Sequence, residues 1–152
     1  MDKDQFQPVY RQVKINPQRC VFEKAILNHC CDCKQKQWLM LPTHQAVGCR
    51  CSSSLATCTT FLNTLRGKSR FALHEIVISG PLTHHKEMKV QVGGTLALQL
   101  HLFPALAGEK LVLDIDELVN LGLAKYSNIA DFPYGELIKG VVHYECRPLR
   151  VK

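Results

Sequence analysis

Three cysteines and a histidine fall within five consecutive positions in HCCDC, residues 29–33, and CRC at 49–51 and a further cysteine at 58 follow in the same stretch of chain. Thiols this dense can close disulfides, exchange electrons as a dithiol pair, or bind a metal as thiolates. The first residues, MDKDQFQPVYRQVK, lack the apolar core of a signal peptide, and no apolar run approaches the length of a membrane span. The expectation is therefore a soluble, cytoplasmic protein with no membrane partner. In a reducing compartment, closely spaced cysteines serve as metal ligands or redox groups more often than as structural disulfides.

Spacing narrows the chemistry further. Structural zinc is usually held by two paired knuckles of the CxxC or CxxH type. This chain has one CxxC, Cys30 to Cys33, and its partner would have to be the CxC of Cys49 and Cys51. Iron–sulfur clusters accept more varied spacing and draw cysteines from loops and helix ends. The spacing thus favours an iron–sulfur cluster, with zinc as the alternative. The candidate ligands are Cys20, Cys31, Cys33, Cys49 and Cys58, with Cys30 and Cys51 in reserve. Cys20 carries a condition: a continuous helix from Cys20 to Cys31 would hold the two roughly 16 Å apart, so either that helix breaks early or Cys20 stands outside the set.

Each of these residues also has an ordinary reading. Cys58 falls on the apolar stripe of a helix, where a cysteine serves as a small buried hydrophobe. Cys146 reads as a bystander beside the basic tail. His29 and His44 could complete a zinc site, but a lone histidine is more often a surface or hydrogen-bonded residue, and the same holds for His84 and His85.

The elements that must position these groups follow from caps and periodicity. VYRQVKI at 9–15 suits a short edge strand. Asn16 and Pro17 then read as the start of a helix from about 17 to 29, with HCCDC at its end. Residues 34–50 show no clear period, and Pro42 and Gly48 suggest a loop or short strands. SSS at 52–54 supplies caps for a second helix, on which Leu55, Cys58, Leu62 and Leu65 recur at helical spacing up to Gly67. HEIVIS at 74–79 reads as a strand, and KVQV, Gly93–Gly94 and LALQLHL read as a hairpin, with a glycine-interrupted helix as the rival. Asp114, and then Asp131 or Phe132, cap two final helices. The expected fold is α+β, helices at both ends around a small antiparallel sheet, in one domain spanning 1–152.

Charge divides that domain. Residues 1–70 hold eleven Lys and Arg against four Asp and Glu, a net of +7, and residues 71–152 hold eight against nine, a net of −1, which together give the overall +6. The basic part, 1–70, also holds every cysteine but Cys146. Arg19, Lys34, Lys36 and Arg50 stand among the thiols, and cations favour thiolates. An acidic protein is the expected partner. Nucleic acid is possible but not favoured, because the basicity is modest and the aromatics of this half are scattered.

The order CDC, CRC, Cys58 is similar to the succession of CxC motifs in the catalytic subunit of ferredoxin-thioredoxin reductase, a family that carries a four-iron cluster beside a redox-active disulfide. The likeness covers 31–58 alone, without that family's prolines and with Thr60 in place of its last cysteine, and membership is not inferred. No phosphate-binding loop, dinucleotide fingerprint, HExxH or GxSxG occurs, so no catalytic residue is assigned. Three classes remain: a small iron–sulfur protein for electron transfer, cluster delivery or redox sensing; a zinc-containing nucleic-acid-binding or regulatory module; and a thiol–disulfide redox enzyme using Cys30 and Cys33.

Overall fold

In the computed structural model of this chain, residues 18–75 and 82–145 are described. The order is a short helix α1 (Glu23–Leu27), strands β1 (Lys36–Met40) and β2 (Gln45–Cys49), helix α2 (Ser52–Lys68), helix α3 (His84–Met88), a π-helical turn (Lys89–Gly93), and helices α4 (Gly94–Leu102), α5 (Ile115–Tyr126) and α6 (Tyr134–His143). The fold is α+β, with helices on both sides of a small two-stranded antiparallel sheet. Among the described residues, no helix is long and apolar enough to cross a membrane.

The sheet is the hairpin β1–β2, in register from Lys36 opposite Cys49 to Met40 opposite Gln45. Residues 34–50 conceal it because Ala46, Val47 and Gly48 are all buried in succession. Such a strand has no polar face, so it lacks the two-residue alternation that announces a half-buried strand. β2 is covered on its other side by the approach to α1: Arg19 bridges to Gly48, Cys20 N–H donates to Val47 O (2.9 Å) and Cys49 N–H donates to Gln18 O (2.8 Å).

The helix expected over 17–29 is much shorter than the sequence suggests. Only Glu23–Leu27 is helical, so Cys20 lies on extended chain before it. α2 matches its expectation closely, although Cys51 rather than a serine holds the N-cap position; Phe61, Leu62 and Leu65 form its buried face. The strand expected over 9–15 lies outside the described residues, as does most of that over 74–79.

The hairpin expected across Gly93–Gly94 is instead a continuous helical run, α3, the π turn and α4. Its buried face includes Gln91, Thr95 and Gln99, whose polar atoms are satisfied internally: Thr95 Oγ1 donates to Gln91 O (2.5 Å), and Gln99 bonds Leu111 O and Leu113 N–H at 2.9 Å each. With polar residues in buried helical positions, the leucines appear to alternate at strand period. The glycines serve close packing: a Cβ on Gly93 would meet Gly140 O at 2.5 Å, so only bare backbones let this run approach α6.

The core gathers Phe22, Phe61 and Phe132, with ring centroids 6.4 and 5.4 Å apart along that series, around Leu62, Leu65, Leu98 and Leu137. One ion pair is buried within it. Arg66 of α2 meets Glu87 of α3 at 2.6 Å, and Gln91 Nε2 donates to the same carboxylate at 2.5 Å. α5 starts after Asp114, as its cap implies, whereas α6 starts after Pro133 rather than at the expected cap of Asp131 or Phe132, because Ile129–Asp131 form a 3-10 turn of their own.

Candidate metal centre

Four separate pieces of chain bring thiols to one place. Cys20 comes on the extended segment that borders β2. That segment is held by Glu23, which accepts Val47 N–H at 2.8 Å and pairs with Arg19 at 2.9 Å. Gln91 holds it from the other side, accepting Ala25 N–H (3.1 Å) and donating to Val21 O (3.2 Å). Cys33 sits in the loop after α1, knit to the start of α5. Asp32 N–H donates to Val112 O (2.9 Å), Ile115 N–H to Asp32 O (3.0 Å), and Lys34 N–H to Asp114 Oδ1 (3.2 Å). Cys49 is the last residue of β2, and Cys58 lies in the second turn of α2.

Cys20, Cys33, Cys49 and Cys58 together line a cavity of about 10 Å³, closed otherwise by Val21, Phe22, Leu55 and Ile115 and by the polar residues Gln35, Ser54 and Asp116. That volume is about what one water needs. As the side chains stand, no group of three or more His, Cys, Asp or Glu residues is arranged to hold a metal ion among the described residues. The sulfurs instead engage the nearby backbone: Cys20 Sγ accepts Phe22 N–H (3.3 Å) and Cys49 Sγ donates to Cys51 O (3.2 Å).

Of the five candidate ligands, Cys31 is the one placed elsewhere. Its backbone bridges to Val112, and its buried side chain lies 3.8 Å from Thr95 Oγ1, off the cavity wall. The reserves also face away: Cys30 Sγ lies 3.6 Å from Tyr144 Oη, and Cys51 Sγ 3.2 Å from Ser53 Oγ. Both therefore fall outside the set, and with Cys30 turned to Tyr144 and Cys33 to the cavity, the CxxC does not stand as a facing dithiol. His29 and His85 are exposed, and His44 bonds Thr43. Cys146 lies outside the described residues.

The four thiols share one electrostatic environment. Burial raises Cys20 to about 12, with the charges of Cys33 and Cys49 adding to the effect. Cys58 is pushed up by burial first and then by Cys20, Cys33, Cys49 and Asp116. Burial also raises Cys33 and Cys49. Thiols grouped this way resist ionising in the absence of a cation; a metal that binds them displaces their protons.

Asp116, in the first turn of α5, lines the cavity although its place in the sequence reads only as that of a helix-start carboxylate. A signal was available: Asp114 suffices as the cap, while Asp116 falls on the buried stripe of α5 with Val119, where a carboxylate needs a further reason. A second cavity, of about 640 Å³, lies between α4 and α6 and is lined by Leu96, Leu100, His101, Glu136, Lys139 and Tyr144 among others; it contains no thiol. No family model matches the chain, and neither a curated protein nor a solved structure matches it.

Proposed function

We propose that this chain is a small electron-transfer protein that holds an iron–sulfur cluster on Cys20, Cys33, Cys49 and Cys58. The observation that carries the reading is the convergence of these four thiols, from four chain segments, on one apolar cavity. Four cysteines are the usual complement of such a cluster. Spacing is what sets zinc second: the four converging cysteines include no CxxC or CxxH pair, the usual knuckle of structural zinc, and iron–sulfur clusters accept such dispersed ligands.

Retention favours electron transfer over cluster delivery. Every segment that carries a ligand is fixed by backbone hydrogen bonds or lies within an element, and a site meant to release its cluster would gain nothing from that rigidity. Beside Cys33 lies a depression of about 350 Å³ flanked by Lys34, Lys36 and Arg50. Lys36 is paired with Asp32 at 2.6 Å, which leaves Lys34 and Arg50 as the cations turned to solvent. This rim suits an acidic protein partner, with its electron path through Cys33.

The test is elemental and optical analysis of protein purified and reconstituted without oxygen. Stoichiometric iron and acid-labile sulfide, with a visible band bleached by dithionite, support the cluster. Stoichiometric zinc without sulfide establishes the zinc alternative instead, and no bound metal leaves only the folded domain.

A further inference from the structure

We propose that the open edge of β1 takes an extended, acidic segment of a partner protein as a further strand of the sheet; this goes beyond the metal reading and does not depend on it. Register fixes which backbone groups are on offer. Arg50 N–H donates to Gln35 O and Leu41 N–H to His44 O, each at 2.9 Å, and both pairs continue the register that sets Lys36 opposite Cys49. In an antiparallel ladder, residues alternate between bonding to the partner strand and pointing away from it. Gln35, Gln37, Leu39 and Leu41 therefore bond inward, and Lys36, Trp38 and Met40 direct their backbone groups outward.

The two outer edges of the hairpin differ. That of β2 is taken: Val47 O accepts Cys20 N–H, Val47 N–H donates to Glu23, and Cys49 N–H donates to Gln18 O. Along β1, Lys36 N–H turns back to Cys33 O, but the N–H and C=O groups of Trp38 and Met40 have no partner among the described residues. Their side chains share one face of the strand, and Trp38 is 40% and Met40 65% exposed. Such an edge accepts an added strand through main-chain hydrogen bonds, while alternate side chains select the partner.

Charge selects the occupant. No Asp or Glu occurs between Asp32 and Glu75, so the hairpin brings Lys34, Lys36 and Arg50 to one end of the edge with no acidic residue of its own. Asp32 and Asp116 offset part of this charge, at 2.6 Å from Lys36 and 3.9 Å from Lys34, and Arg50 is exposed. Glutamates or aspartates on an incoming strand meet that end favourably. A second copy of this chain, net +6, would add like charge instead, and an edge lysine is a common guard against such self-pairing.

The experiment titrates the full chain with a blocked peptide of alternating glutamate and threonine, following the fluorescence of Trp38, the single tryptophan. A saturable change is expected, weakened by salt and absent with the lysine–threonine counterpart. Met40→Pro removes one outward donor and no inward bond, a change that edge strands tolerate, and should weaken binding about tenfold at unchanged circular dichroism. If that variant does not fold, the peptide decides: N-methylation at alternate residues should abolish binding in one register and spare it in the other. No response to the acidic peptide, undiminished binding by folded Met40→Pro, or equal effects of the two methylation registers each overturns the proposal. So does self-association in sedimentation that shields Trp38, which assigns the edge to a second copy, or tighter binding of a thymidine oligonucleotide with the same Trp38 response, which assigns it to nucleic acid. None of these outcomes depends on bound metal, so failure here leaves the cluster reading untouched, and failure of that reading leaves this one.

Discussion

Cys20 and Cys51 both belong to the cysteine-rich half, yet their surroundings push their thiols in opposite directions. Cys20 is raised to about 12 by burial, while Cys51 is lowered to about 7 by hydrogen bonds from Ser53 and Ser54 at the start of α2. The thiolate is the reactive form, so in metal-free protein Cys51 should be alkylated first by iodoacetamide, with a rate that climbs through neutral pH. Cys20, Cys31 and Cys58 should remain unlabelled there. Mass spectrometry of quenched samples reads the order, and early labelling of Cys20 would show that its surroundings are wetter than described. The cysteine types were legible in the sequence, and four of the five chosen ligands do share one cavity. Cys31 was not separable from Cys33 by spacing, because only the direction of each side chain sends one to Thr95 and the other to the cavity.

Among the elements, the helical run from His84 to Leu102 bears most of the load and was the hardest to read. Helices α2, α5 and α6 were legible because each carries a buried stripe beside a start signal, although only Asp114 holds the cap position expected of it. The central run was not, because Gln91, Thr95 and Gln99 occupy core positions and satisfy themselves on nearby backbone. Its buried ion pair gives a direct test. Burial alone would raise the Glu87 carboxyl, but hydrogen bonds from Arg66, Leu82 N–H and Gln91 outweigh it and hold it below its ordinary value. Removing one member of such a pair strands a buried charge, so Glu87→Ala should cost about 3–5 kcal/mol in chemical denaturation. Gly140→Ala should also destabilise, by about 1–3 kcal/mol, since its Cβ would meet Gly93 O at 2.5 Å and Ala97 Cβ at 2.6 Å. A Glu87→Ala variant as stable as wild type would mean that Arg66 finds water in the folded state.

For the molecule as a whole, thiol burial links stability to pH and, on the proposed function, to metal. Cys20 and Cys31 hold their protons in the folded state up to about 12, against 9.0 for the ordinary thiol. The folded chain therefore keeps protons that the unfolded chain releases above pH 9. Their contribution is complete below that value and is lost as pH rises towards 12. Metal-free protein should accordingly weaken across that window in denaturant titrations, and loaded protein should weaken less, since Cys20 is already deprotonated on the metal. At the acidic end the sign reverses: the Glu87 contribution is present above pH 4.5 and fades as pH falls through its lower folded value. The core itself is large enough to persist without the centre, which allows ligands to be removed one at a time. The most direct measurement is iron and sulfide content per chain in seven single cysteine-to-serine variants prepared without oxygen. Loss of the cluster from the variants at Cys20, Cys33, Cys49 and Cys58, with retention in those at Cys30, Cys31 and Cys51, is the predicted result. Full content in the first four, or loss confined to the other three, would contradict the convergence on which the functional account depends.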